Sequence, residues 1–242
     1  MKALALIPAR LDSKRLPGKL MMDLGGVPLI NRTYENISAT NLFDKVVVVT
    51  NSKIIYSSII KSGGNAFFSK KKHRCGTDRI AEYAIKSPND IVVNVQGDEP
   101  FVETECLKKM LELFENDTSK QIDLISIMNN LDKNDFENTN KVKVLINDKF
   151  DAIMFSRSIK TLKEIYNNVN FIYKHVGVYG FRMNCLEDFY SSKPSNLEKK
   201  ENLEQLRYIE KGKTIRMIKT NYSGFGIDVM QDLIEARKKI NA

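Results

Sequence analysis

Leu4-Ala-Leu-Ile-Pro8 runs into Arg10-Leu-Asp-Ser-Lys-Arg15-Leu-Pro-Gly-Lys19, and Ile91-Val-Val-Asn-Val95 runs into Gln96-Gly-Asp98-Glu-Pro100. Each is an apolar run of strand length that ends in a polar loop, with cations after the first and carboxylates after the second. In an open α/β sheet, the loops at the carboxyl ends of parallel strands line the ligand crevice. The two stretches therefore predict several positive charges and one or two metal-binding oxygens around one small anion. A nucleoside triphosphate with magnesium answers that description.

Working outward, apolar runs at Leu4–Ile7, Val46–Val49, Ala66–Phe68, Ile91–Val95 and Leu124–Met128 alternate with stretches of helical period, the βαβ rhythm of a parallel sheet. Pro28 suits the first turn of a helix over Leu29–Ile37, Ser52 caps Lys53–Lys61 before Gly63-Gly64, and Thr77 caps Asp78–Lys86. After Asn140 the rhythm changes: Val142–Ile146 and Ala152–Phe155 flank Asn147-Asp148-Lys149, a sequence suited to an antiparallel turn, and Phe171–Phe181 reads as a further strand. A helix over Asn202–Glu210, a strand over Thr214–Lys219 and a helix over Met230–Ile240 complete the pattern. The expected fold is α/β, a doubly wound and mostly parallel sheet in one domain over 1–242, with a smaller β-rich lobe inserted at about 140–185.

The 242 residues, 42% of them hydrophobic, suffice for a full core. No apolar run approaches the ~20 residues that span a bilayer, and Pro8 and Arg10 come too soon for a signal peptide. Cys75, Cys106 and Cys185 form an odd, widely spaced set without a Cys-x-x-Cys pair, which argues against a zinc site or a disulfide scaffold. These features lead to the expectation of a cytoplasmic protein. The net charge of +8 invites a nucleic-acid reading. Outside Lys70-Lys-Lys-His-Arg74, however, the cations are interspersed with Asp and Glu, the texture of a solvated surface, so neither nucleic acid nor membrane is expected as a partner.

The first loop is not a phosphate-binding Gly-x-x-x-x-Gly-Lys-[Ser/Thr] element, because Ser13 and Leu20 stand where it needs Gly and Ser or Thr. It offers fixed charges instead: Arg10, Arg15 and Lys19 around a Pro17-Gly18 bend are able to hold a triphosphate, although an ordinary basic surface loop has the same composition. Asp98 reads equally as a helix cap or, together with Asp228, as one of two carboxylates on a magnesium ion. Gly76-Thr-Asp-Arg79 opens a helix and reads as a site for a base or phosphate or as a plain cap. His175, within a strand, is by itself more often structural than catalytic, and Glu204-Gln-Leu-Arg207 is by itself the polar face of a helix.

Taken together, Ile7-Pro-Ala-Arg10, Arg15-Leu-Pro-Gly-Lys19, Gly76-Thr-Asp-Arg79, Val93-Asn-Val-Gln-Gly-Asp-Glu-Pro100, Phe155-Ser-Arg157, His175-x-Gly-x-Tyr-Gly-Phe-Arg182, Leu203-Glu-Gln-Leu-Arg207 and Gly226-Ile-Asp228 resemble the bacterial 3-deoxy-manno-octulosonate (Kdo) cytidylyltransferases over nearly the whole chain. The resemblance implies a nucleotide-diphospho-sugar-transferase-like fold and a magnesium-dependent transfer of CMP from CTP to the anomeric 2-hydroxyl of Kdo, for lipopolysaccharide biosynthesis. It implies catalytic roles for Lys19, Arg15 and Asp98, and nucleotide contacts from Ala9, Arg10, Arg15, Lys19, Cys75, Gly76, Thr77, Arg79 and Gln96. Asp98 and Asp228 would carry the magnesium, while Arg157, His175, Tyr179, Glu204 and Gln205 would surround the sugar acid. A homodimer formed largely through the inserted lobe is implied as well.

The chain departs from that pattern at three places. Cys75 stands where the family usually has Ser, Ser158-Ile-Lys-Thr-Leu replaces the usual Ile-Pro-aromatic-x-Arg, and Ser223-Gly-Phe-Gly-Ile-Asp-Val-Met lacks its prolines. An 8-amino analogue of Kdo or another ulosonic or sialic acid is the alternative substrate that these changes leave open. Two readings from other classes are a metal-dependent glycosyltransferase using Asp98, for which so much phosphate-facing charge is superfluous, and a basic nucleic-acid-binding protein, for which the acidic motifs have no purpose.

Overall fold

The computed structural model describes residues 1–13, 15–166, 168–222 and 225–240. Lys14 of the basic loop and Ser223-Gly224 of the last motif lie outside the described residues. In chain order the elements are β1 (Ala3–Ala9), α1 (Leu29–Ala39), β2 (Lys45–Thr50), α2 (Lys53–Lys61), β3 (Ala66–Phe68), α3 (Gly76–Ala84), β4 (Ile91–Val95), α4 (Thr104–Asn116) and β5 (Leu124–Asn129). They continue with β6 (Lys143–Ile146), β7 (Ala152–Ser156), α5 (Ile159–Ile165), β8 (Ile172–Arg182), α6 (Met183–Ser191), α7 (Asn196–Glu201), α8 (Leu206–Glu210), β9 (Ile215–Lys219) and α9 (Met230–Ile240). Two compact units form, Met1–Thr104 with Gly224–Ala242, and Glu105–Ser223.

In the first unit β3, β2, β1 and β4 lie side by side and all run parallel. All seven residues of β1 and all five of β4 are buried, which is why both read as unbroken apolar runs and not as alternating ones. The chain winds outward from β1 through α1 and α2 to β3, then returns through α3 to place β4 on the other side of β1. The winding direction therefore reverses between β1 and β4, and the ligand crevice of such a sheet opens at the carboxyl ends of those two strands. Gly97, just past β4, is required there: a Cβ would fall 2.9 Å from Ile30 Cδ1 and 3.2 Å from the Pro8 carbonyl, so only glycine lets the two strand ends approach.

In the second unit β5 pairs parallel with β9 and antiparallel with β8, while β6 pairs antiparallel with both β7 and β8. The β6–β7 connection is the hairpin expected from Asn147-Asp148-Lys149. Asn147 Oδ1 accepts from the Lys149 and Asp151 amides, both at 2.9 Å, and Phe150 takes the left-handed conformation at φ 63°. Residues 140–185 thus hold β6, β7 and β8, with the short helix α5 between them.

Several local expectations are met. Pro28 stands at the N-cap of α1, and Ser52 Oγ accepts from the Ile55 amide at 3.4 Å to cap α2. Others need correction. The cap of α3 is Cys75 and not Thr77: Cys75 is extended and its sulfur accepts from the Asp78 amide at 3.5 Å, whereas Thr77 is already helical and buried. The helix expected over Asn202–Glu210 is shorter, Leu206–Glu210 alone, because Asn202 at φ 55° is the C-cap of the separate, preceding helix α7 and cannot open a helix of its own. The start of α7 carries a capping box, Ser195 Oγ accepting from the Glu198 amide and the Glu198 carboxylate from the Ser195 amide. Among the described residues, no helix is long and apolar enough to cross a membrane.

Candidate active site

The loop after β1 turns at Gly18, which takes φ 69° and opens the short 3-10 helix Lys19–Met21. That turn buries the Lys19 stem and directs its ammonium to three oxygens: Asp98 Oδ2 at 2.5 Å, the Ile227 carbonyl at 2.8 Å and Asp228 Oδ1 at 2.9 Å. Burial works to lower the Lys19 pKa, but the Asp98 and Asp228 carboxylates outweigh it and hold the ammonium above its usual range. Arg15 Nη2 reaches the same Asp228 oxygen at 2.8 Å from a more exposed position. The two acids expected to share a metal thus converge on one cation.

Arg10 lies exposed at the end of β1, and among the described residues it has no ion-pair partner. A cleft of about 520 Å³ opens beside it, lined by Arg10, Leu11, Asp12, Ser13, Pro17 and Gly18. Arg79, on α3, is buried and donates to Asn51 Oδ1 at 2.9 Å. Its pKa is lowered by burial and by the nearby Arg10 guanidinium, with Glu82 offsetting part of the effect. Like charges brought this close favour an anion between or beside them. Gly76, at the first turn of α3, sits against Pro8 and Gln96, its built Cβ 3.5 Å and 3.6 Å from their side chains, and Gln96 in turn donates to Asn94 Oδ1 at 3.2 Å. Ala9 and Thr77 are buried within the same strand and helix ends. The structure therefore sets Gly76 against Gln96 and Arg79 near Arg10, and joins Arg15, Lys19, Asp98 and Asp228 in a second group.

The basic stretch 70–74 is tied down to α3. Glu82 Oε2 accepts from Ser69 Oγ at 2.5 Å and lies 2.9 Å from His73 Nε2, while Arg74 grips Asp78 through two bonds of 2.5 Å and 2.9 Å. Burial and the Arg79 charge lower the His73 pKa, against the opposing pull of Glu82. A lone Ser, His and Glu at 69, 73 and 82 gave no signal in the sequence, since only the fold brings a strand end and a helix face together.

The residues expected around the sugar acid all lie in the second unit. Arg157 follows β7, its Nη1 donating to the Thr139 carbonyl at 3.1 Å. The Arg157 carbonyl is itself held by Lys143, a fully buried lysine whose Nζ donates to it at 2.8 Å and to the Asn138 carbonyl at 2.7 Å. Sequence reasoning passed over Lys143; its inward place in the apolar run Val142–Ile146 was the available signal. His175 packs edge-on against Phe155 and tilted against Tyr179, with ring centroids 5.1 Å and 5.4 Å away. Burial pushes its pKa down to about 3. Gln205 and Glu204 precede α8, which packs on β7; Gln205 is buried and Glu204 half-buried. Arg207, next along, is structural: it pairs with Glu198 through two bonds of 2.5 Å and 2.7 Å and stacks on Phe189 at 3.7 Å.

The family described as Cytidylyltransferase matches residues 4–215. The chain is also 48% identical over 238 residues to the 3-deoxy-manno-octulosonate cytidylyltransferase of Flavobacterium johnsoniae, covering 98% of each chain. The chain belongs to the 3-deoxy-manno-octulosonate cytidylyltransferase family. A second relative of that name, from Christiangramia forsetii, is 46% identical over 242 residues, with 99% of this chain and 97% of the other covered. Among solved structures, a CMP:2-keto-3-deoxy-manno-octonic acid synthetase complexed with CTP superposes with a TM-score of 0.90 at 31% identity, covering 100% of this chain and 99% of that one. A 4-diphosphocytidyl-2C-methyl-D-erythritol synthase from Anaerococcus prevotii, at 15% identity and a TM-score of 0.66, shares the fold alone. The resemblance read from the motifs is therefore borne out, and so is the α/β class with a mostly parallel sheet.

The donors at the family's acidic motifs suit a hard divalent cation. Lys19 occupies only one oxygen of each carboxylate, Asp98 Oδ2 and Asp228 Oδ1, and a pair of carboxylates completed by phosphate oxygens and water is what magnesium favours.

Proposed function

We propose that this member of the cytidylyltransferase family transfers CMP from CTP to the anomeric 2-hydroxyl of Kdo, giving CMP-Kdo and pyrophosphate for lipopolysaccharide synthesis. The observation that carries the reading is the meeting of Arg15, Lys19, Asp98 and Asp228 where the sheet reverses, in a chain 48% identical to an enzyme named for this reaction. The sugar oxygen attacks the α-phosphorus as the bond to the β-phosphate oxygen breaks, so no protein nucleophile is needed and the residues act by position and charge. Arg10, Arg15 and Lys19 hold the triphosphate and draw charge off the departing pyrophosphate. Gly76 and Gln96, with Cys75, Thr77 and Arg79, hold the cytidine. Arg157 binds the sugar carboxylate, and His175, Tyr179, Glu204 and Gln205 bind its hydroxyls. Asp98 and Asp228 would hold a magnesium ion that neutralises phosphate charge.

Pyrophosphate release from CTP with magnesium, measured with Kdo, 8-amino-Kdo and a nine-carbon sialic acid in parallel, tests the reading. Release with Kdo is expected. Release with 8-amino-Kdo alone would trace the departures at Ser158-Ile-Lys-Thr-Leu to substrate choice, and release without any acid would remove the transferase reading. The same reading carries a cytoplasmic homodimer that needs neither nucleic acid nor membrane; light scattering at twice the 27.7 kDa chain mass is expected.

A further inference from the structure

The ladder between β5 and β8 slips at one place. Ser126 pairs with Tyr179 and Ile127 with Val176, so that Gly177 and Val178 are passed over. The slip leaves the Val178 carbonyl 2.9 Å from Ser126 Oγ and the Val176 carbonyl 3.4 Å from it. The remaining neighbour of that hydroxyl is His175 Nε2, at 3.0 Å. Ser126 is fully buried and the imidazole nearly so.

A serine hydroxyl has one hydrogen to give, and a carbonyl oxygen can only accept. Were the hydrogen given to Nε2, Val178 O would face a bare oxygen lone pair at 2.9 Å in the interior, and an unmade buried hydrogen bond is costly. With the hydrogen on the Val178 carbonyl, Nε2 must be the donor to Oγ, and Oγ, Nε2 and the Val178 carbonyl are all paired. The neighbouring aromatic faces of Phe155 and Tyr179 bring no charge to the ring, and burial keeps it neutral, its pKa pushed down to about 3. The single proton of the neutral ring is then on Nε2. Among the described residues the ring makes no hydrogen bond through Nδ1.

We propose that Ser126 is a positioning residue that fixes His175 as the Nε2–H tautomer, so that Nδ1 presents an acceptor alone and selects a hydroxyl donor on the sugar acid. The second half rests on the reading that His175 faces the sugar acid; the first stands without it. An ammonium or hydroxyl can donate to such a nitrogen, while a carboxylate or a carbonyl is repelled.

The chain has only two histidines, so a long-range proton–nitrogen spectrum of the histidine-labelled full chain resolves both rings, His73→Gln giving the assignment. At neutral pH and without substrate, His175 is expected to carry its proton on Nε2. Ser126→Thr is expected to keep that pattern and Ser126→Ala to give a mixture of tautomers. In turnover, Ser126→Ala is expected to raise KM for Kdo about tenfold with KM for CTP unchanged, the loss of one oriented hydrogen bond, and Ser126→Thr to restore it. A proton on Nδ1, a charged ring in the wild type, or a tautomer unmoved by Ser126→Ala would overturn the assignment. An expected spectrum with an unmoved KM for Kdo would overturn the selection of a hydroxyl. Failure of the wild type to use Kdo at all would sink the functional reading and the hydroxyl selection, while the substrate-free spectrum would still decide the tautomer.

Discussion

Lys19 and Asp98, 79 positions apart in the chain, meet at 2.5 Å where the sheet reverses its winding. The contact couples the basic loop after β1 to the acidic loop after β4, and Asp228, 209 positions beyond Lys19, closes the group from the end of the chain. Positive and negative charge are thus held together at the spot where a sheet of this kind takes its ligand, and each partner of the group can be removed singly.

Asp98→Asn should lower turnover by at least about 100-fold, the scale of losing one fixed charge at a reacting centre. It should leave the melting temperature nearly unchanged, because Lys19 keeps Asp228 and the Ile227 carbonyl. Pyrophosphate release and a thermal melt on the same preparation check this; early melting with normal turnover would contradict it.

Lys19→Gln leaves the Asp98 and Asp228 carboxylates facing each other without an ammonium, which disfavours their ionised forms and favours a divalent cation. Without magnesium the variant should melt below the wild type. Added magnesium should raise its melting temperature more than that of the wild type, while turnover stays down by at least about 100-fold. Equal shifts in the two proteins would argue against a metal at these carboxylates.

At position 75 a thiol caps α3 from 3.5 Å, where a hydroxyl would be the stronger acceptor. Cys75→Ser should therefore stabilise the protein by about 0.5–1 kcal/mol with turnover kept. Urea denaturation reads this directly, and a loss of stability would show that the sulfur is needed for packing.

His175 is neutral in the folded state down to about pH 3 and has an ordinary value of 6.5 when unfolded. Between those values the unfolded chain binds one proton more, so acid favours unfolding; the contribution is complete above pH 6.5 and declines as the pH falls toward 3. From pH 6.5 to pH 5 the wild type should lose about 2 kcal/mol more than His175→Gln. Parallel slopes in urea melts at the two pH values would refute a buried neutral ring.

Arg207→Ala removes the partner of Glu198 and the cation stacked on Phe189, and should cost about 3–5 kcal/mol. The double variant Arg207→Met with Glu198→Leu should recover most of that loss, because no charge is then left buried alone. A double variant as unstable as Arg207→Ala would mean that the stacking of α8 on Phe189 of α6, and not the ion pair to α7, carries the stability.

The sequence by itself determined the strands and the helix ends that depend on neighbours in the chain. β3, β4 and α9 fall where their apolar periods put them, Ser52 caps α2 by an oxygen three residues from its amide, and the motifs disclosed the family. It also placed the two loops that matter, since a parallel sheet must present them at the carboxyl ends of β1 and β4. Only the tertiary structure decided that Lys19 bridges Asp98 and Asp228, that Lys143 is buried to hold the Arg157 carbonyl, and that Ser126 meets His175 across a slipped ladder. It likewise decided that Asn202 turns left-handed to end α7, so that the expected helix starts only at Leu206. The division has a physical cause: periods and caps act over three or four residues and leave their mark in local order. Burial, charge pairing and the direction of a hydrogen bond are instead set by groups dozens to hundreds of positions away, which packing alone brings within 3 Å.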